Sequence, residues 1–315
     1  MRDLKPAWSR RAIGRVLAGA ALATREQAQA DGPRSWPTIP HLDADAERRY
    51  RADAQVLLLS IPLLHRAAVG GGSLVWRESA QPNGDTLRLL EFFGYSDPRR
   101  AAGLNRLGLI RELVRLSGNR VSEAFYFGLM TSSPEDSAED ARHALHSTAA
   151  QAAYSAIEGR IALGNAATAG AHFVAPAKFS AAQRGELEAL GSQALQSAGL
   201  IDARFDSHAG MPAPFLEALA ELLCAPDRNQ GRYLYAGRLY RLWLHRSPDS
   251  KATEYFRGRR LATANVIRVS GKLCCESGGR EREFRLWVEE GARPLPLRIE
   301  YQAKSYLRLT FEAEA

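Results

Sequence analysis

Apolar and polar residues alternate with period two through three segments near the end of the chain. Phe284, Leu286 and Val288 alternate with Arg285, Trp287 and Glu289. Leu295, Leu297, Ile299 and Tyr301 alternate with Pro296, Arg298 and Glu300, and Leu307, Leu309 and Phe311 with Arg308, Thr310 and Glu312. This period predicts strands with one face on a core and the other toward water or a second layer. Short connections make them an antiparallel meander. Residues 232–235 and 238–245 predict a hairpin, and 262–273 a further strand. Earlier in the chain, 50–59, 73–78 and 85–93 predict strands. Segments 109–116 and 121–130 flank the turn Ser117-Gly118-Asn119.

The middle of the chain reads differently. Ser133-Pro134-Glu135-Asp136 has a capping Ser, a Pro suited to the first helical position and acids that favour a helix N-terminus. Ala-rich sequence follows, so a helix is expected over 133–161. Ser180-Ala181-Ala182-Gln183 is a capping box that opens a second helix, closed by Gly199. A third is expected over 214–224, with Leu216, Leu219, Ala220 and Leu223 on one face. The expected fold class is therefore α+β: an antiparallel sheet from 46–130 and 231–315, with a helical insertion over 132–230 packed against it. Residues 46–315 form one domain on this reading.

The first thirty residues change the picture of location. Ser9-Arg10-Arg11 is followed by a short apolar run and by Ala28-Gln29-Ala30, a small-x-small cleavage site. That order predicts a twin-arginine export signal over 1–30 and a periplasmic or secreted protein, with the twin-arginine translocation machinery as a partner. The apolar run is too short to span a bilayer, which takes about 20 residues. No later stretch is long enough either, so no stable membrane span is expected. Residues 31–45, with Pro33, Pro37 and Pro40, read as a linker.

Charge follows from the signal. The chain carries a formal net charge of +7. Residues 1–30 hold six of its bases and two of its acids, which leaves 36 bases against 33 acids after cleavage. A nucleic-acid partner needs a basic face, and most of the basicity leaves with the signal, so no nucleic-acid partner is expected.

The first and last strands carry a family resemblance. Arg48-Arg49-Tyr50-Arg51-Ala52-Asp53 followed by Leu59-Ser60-Ile61-Pro62 resembles the opening strand of a bacterial family of exported domains of unknown function, the DUF 3108 type. Leu286-Trp287-Val288, then Pro294 through Tyr301, then Tyr306 through Phe311 resemble its closing strands. The family is similar in build to the half-barrels of periplasmic lipoprotein carriers. The resemblance implies a curved, half-barrel-like sheet around an apolar groove, a periplasmic location and an apolar or lipid-like ligand. It implies no catalytic residues. The middle segment departs from the pattern and stands as a lid, a plug or a separate lobe.

Candidate chemistry is sparse. Gly70-Gly71-Gly72 lacks the Lys-Ser/Thr of a phosphate loop and precedes a strand, so it reads as a glycine turn or bulge admitting a close neighbour. Glu139, His143 and His146 share one face if 133–161 is a helix, and are the candidate metal ligands. The other reading is a solvated helix face. Cys224 pairs with Cys274 or Cys275 in an oxidising compartment, or all three are ordinary thiols. The strand aromatics Tyr233, Tyr235, Trp243 and Trp287 are the candidate ligand-groove residues, with core packing the competing reading. No catalytic constellation and no cofactor motif stands out. Three functions remain open: a non-enzymatic exported protein that binds an apolar or lipid-like molecule, a periplasmic metal-dependent hydrolase built on the helical insertion, and an envelope structural or interaction protein.

Overall fold

The computed structural model describes residues 44–58, 61–97, 99–102, 107–118, 120–132, 143–154, 158–171, 199–204, 213–235, 238–279, 281–291, 293–304 and 306–315. The signal residues Ser9, Arg10, Arg11, Ala28 and Ala30, the linker to residue 43, Glu139 and residues 180–198 of the second expected helix lie outside them.

One antiparallel sheet of 14 strands runs through the described residues. β1 (Ala44–Leu58), β2 (Ile61–Ala80), β3 (Thr86–Ser96), β4 (Leu107–Ser117) and β5 (Arg120–Ser132) form successive hairpins. β6 (His143–Tyr154), β7 (Glu158–Ala171) and β8 (Gly199–Arg204) extend that side of the sheet. The other side runs through β9 (Gln230–Tyr235), β10 (Arg238–Pro248), β11 (Val266–Cys275), β12 (Arg282–Glu289), β13 (Arg298–Lys304) and β14 (Leu307–Ala313). β14 pairs with β1, Tyr50 opposite Ala313 and Ala52 opposite Phe311, so the two ends of the domain meet at mid-sheet. β8 and β9 are the outer strands, and the sheet stays open.

Two helices pack on it: α1 (Phe215–Cys224) and α2 (Ser250–Gly258). α1 touches β9 and also β3 and β4. Nine strand steps separate β4 from β9, about 43 Å if the sheet were flat at ~4.8 Å per step. A helix only about 10 Å across reaches both because the sheet curls around it. The face carrying α1 is therefore concave. α2 lies on the opposite face, where Ala252 and Phe256 pack with Val266, Trp287 and Leu297.

Glycines allow close packing at mid-sheet. Gly72 pairs with Gly94, and a Cβ on either would lie 3.4 Å from the Phe311 ring. At Gly70 a Cβ would meet the Tyr95 carbonyl oxygen at 1.9 Å. The glycine run thus admits a close neighbour as expected, but within a continuous strand rather than at a turn. The bulge lies just before it, where the β1–β2 register shifts between Ala52 and Ala54 and Ala68 adopts φ of 51°.

The expected α+β class stands: a curved, open antiparallel meander with helices packed against it. The helix expected over 133–161 does not form in the described part of that span. Residues 143–154 and 158–161 are strand, laddered against β5 and against each other. Alanine's helix preference amounts to tenths of a kcal/mol per residue, and ten consecutive pairings to β5 override it. Residues 215–224 are helical as expected. α2 was not expected; the signal for it is Asp249, whose side chain accepts the Ala252 N–H at 3.0 Å, with Ala252 and Phe256 one turn apart on the buried face.

Candidate functional site

The concave face is apolar where α1 covers it. Leu216 and Ala220 pack on Trp76, Leu90 and Leu295, and Ala218 and Leu222 join a second cluster with Tyr233, Leu242, Leu244, Val269 and Leu286. One short helix thus seals two walls of the curl.

The ends of α1 are held by ionisable side chains from the surrounding strands. Its N-cap is Pro214, which supplies no side-chain cap. Glu112 of β4 takes that role from 104 residues away in sequence, accepting the Leu216 N–H at 2.8 Å and the Glu217 N–H at 2.9 Å. The last turn of α1 carries no base. Arg246 of β10 supplies one, donating to the carbonyls of Leu222, of Ala225 at 3.3 Å and of Arg228 at 2.9 Å. Both contacts satisfy helix-end groups that lack an intrahelical partner, and the Arg246 charge complements the dipole.

A buried charge cluster lies under the helix. Glu217, fully buried, accepts from Arg88 at 2.5 Å, and Arg88 also donates to Glu78 at 2.6 Å. The Arg88 guanidinium sits 4.8 Å over the Trp76 ring. Two buried atoms here have no hydrogen-bond partner, Glu217 Oε2 and Trp76 Nε1. Burial pushes the Glu112 carboxyl up to about 8, against the pull of the two helix N–H groups and with a further push from Glu217. Burial likewise raises Glu217 to about 7, with Arg88 pulling it back. Two adjacent carboxyls that titrate near neutrality, at a helix resting on an apolar wall, mark this as the candidate site.

The sheet divides the four expected groove aromatics between its two faces. Tyr233 and Tyr235 lie on the concave face. Tyr233 stacks on Tyr240 at 4.9 Å and meets Phe215 of α1 at 5.1 Å, and Tyr235 stands edge-on to Tyr240. Burial drives the Tyr233 hydroxyl well above its ordinary range. Trp243 and Trp287 point the other way, because each alternates with concave-face neighbours: Leu242 and Leu244, and Leu286 and Val288. The Trp287 indole N–H donates to Asp249 at 3.0 Å and packs under α2. The four residues therefore do not line one groove. Helices cover aromatics on both faces.

The remaining candidates separate as well. His143 and His146 lie in β6 rather than in the helix on which their shared face depended. Glu139 lies outside the described residues. Among the described residues no three His, Cys, Asp or Glu side chains are grouped to hold a metal ion. Cys224, Cys274 and Cys275 are free thiols. Cys275 pairs in register with Tyr240 and Cys274 with Arg241, on opposite faces as expected. No described helix is long and apolar enough to cross a membrane.

The residues missed at the sequence level are Glu112, Glu217, Arg88 and Arg246. A usable signal existed for Glu112. It sits with Arg111 inside Leu109-Ile110-Arg111-Glu112-Leu113-Val114, and a charge within an apolar strand run flags a buried partner. Arg111 meets its partner on the other face, donating from Nε to Glu91 at 2.6 Å.

No family model and no curated protein matches the chain. Among solved structures, it is similar to a β-barrel-like protein of a domain of unknown function, DUF1849, from Brucella abortus. That structure is 8% identical, with a TM-score of 0.45 over 85% of this chain and 95% of the other.

Proposed function

We propose that this is an exported, non-enzymatic binding protein that holds an apolar or lipid-like molecule against the concave face of its sheet, in the place now sealed by α1. The observation that carries this reading is the way α1 is seated. A permanent core element is best buried through apolar contact, since burying a charge costs several kcal/mol unless it is paired. α1 instead puts Glu217 fully into the interface and relies on Glu112 and Arg246 at its ends. Detachment of such a helix gives up the apolar contacts of Leu216, Ala218, Ala220 and Leu222 along with these polar ones, and leaves Trp76, Leu90, Leu242, Leu244 and Leu286 to an apolar occupant that replaces them. Export is supported by the order of Arg10-Arg11, apolar run and Ala28-Gln29-Ala30, and by the likeness of the first and last strands to an exported family.

The test is titration of delipidated protein with a fluorescent fatty acid. Saturable binding that a Leu244→Glu variant loses, with its far-UV spectrum unchanged, supports the reading. Absence of binding up to the solubility limit of the probe counts against it.

A further inference from the structure

Six large hydrophobic side chains stand exposed among the described residues, and five of them gather at one end of the molecule. Ile61, Leu63 and Leu64 are 65%, 63% and 55% exposed at the tip of the β1–β2 hairpin, beside Val56 and, from the adjoining β13–β14 turn, Tyr306. The backbone joins the two parts, since the Leu57 N–H donates to the Tyr306 carbonyl at 2.7 Å. β3 pairs with β2 only from Gly70 onward, so residues 61–67 stand beyond it, exposed at every position.

Such an edge ordinarily invites a further strand. This one is blunted against it. Pro62 has no N–H to donate, the register breaks between Val56 and Leu57 and again between Ala52 and Ala54, and Ala68 turns to positive φ. The side chains are nonetheless apolar on both faces of the ribbon, which a single flat protein surface would not cover. The flanking charge is basic: Arg51, Arg66 and Arg308 against Asp53, which is already beside Arg51 at 3.4 Å and His65 at 3.5 Å. Apolar residues at a tip with a basic collar match a bilayer interface with anionic headgroups.

We propose that the β1–β2 tip docks on an anionic lipid surface, with Ile61, Leu63 and Leu64 entering the interface and the arginines meeting the headgroups. This contact is independent of the ligand reading, because it uses the outer end of the hairpin and none of the residues under α1.

The test is flotation of the full protein with phosphatidylcholine vesicles, with and without phosphatidylglycerol. The expected result is binding to the anionic vesicles that weakens with salt and falls at least about tenfold in the Leu63→Ser/Leu64→Ser variant. Arg66→Glu is expected to reduce the preference for anionic vesicles. Thermal melts of the variants, expected to match the parent, separate lost docking from lost folding. Failure of the parent to float, equal flotation of the serine variant, or a concentration-dependent dimer that this variant abolishes would overturn the proposal. Fatty-acid binding by the serine variant is expected to be unchanged.

Discussion

Replacing Glu112 by alanine removes the acceptor of two buried N–H groups, those of Leu216 and Glu217. Each buried donor left unpaired costs about 1–3 kcal/mol. The removed side chain also leaves a void under a helix with no cap of its own. A loss of about 3 kcal/mol is expected, and at roughly 2–4 °C per kcal/mol for a domain of this size Tm falls by about 6–12 °C. Glu112→Gln keeps one acceptor oxygen but turns its amide N–H₂ toward a second donor, so its cost lies between. The two variants also separate charge from shape. In the unfolded chain Glu112 loses its proton near 4.5, whereas in the folded protein it holds it to about 8. Between those values the unfolded state has released a proton that the folded state retains. Folded stability therefore declines as pH rises through this window, and the contribution is fully present below it and gone above it. Glu217, raised to about 7, acts with the same sign. Thermal melts followed by circular dichroism from pH 5 to 9 test both parts. The parent is expected to lose stability with rising pH more steeply than Glu112→Gln. Amide exchange at Leu216 and Glu217 is expected to speed up in Glu112→Ala. If Glu112→Ala melts within about a degree of the parent, or the pH slope of Glu112→Gln is as steep as the parent's, Glu112 does not hold α1.

Arg298 stacks among the Tyr255, Phe256 and Trp287 rings at 5.3, 5.4 and 5.3 Å and pairs through Nε and Nη2 with Glu312, which also accepts from Tyr255 and Arg259. Arg298→Ala is expected to cost about 2–3 kcal/mol, read by urea denaturation, with Arg298→Lys intermediate because lysine keeps the charge without the planar fork. Gly70→Ala forces a Cβ onto the Tyr95 carbonyl, whereas Gly108→Ala meets nothing within 4 Å. The first is expected to lower soluble yield and Tm sharply, and the second to leave Tm within about 2 °C. Arg10→Lys/Arg11→Lys is expected to leave the uncleaved precursor in the cytoplasm, seen as a larger band on fractionation.

The C-terminal meander was legible because its strands alternate cleanly and their connections are short. β12 and β14 fall within about two residues of the spans the alternation predicts. The pairing of β1 with β14 was not legible, since no local pattern says which distant strands meet. β6 and β7 were misread because alanine fits helix and strand alike, and the open edge of β5 decided between them. The aromatics were correctly placed in strands. Their division between faces depends on each residue's parity relative to concave neighbours, which is readable only once the concave side is known. The Glu112 contact with α1 was out of reach for a related reason. The charge was visible in its apolar run, but its partners lie more than a hundred residues away and on the backbone, where side-chain identity leaves no trace.

Mass spectrometry of small molecules extracted from the protein purified from its native host measures whether the concave face holds an occupant. An apolar or lipid-like molecule near one per chain is expected, and it should be lost when Leu244→Glu is introduced. Protein that carries no such molecule from its host, and takes none up after delipidation, would contradict the binding function.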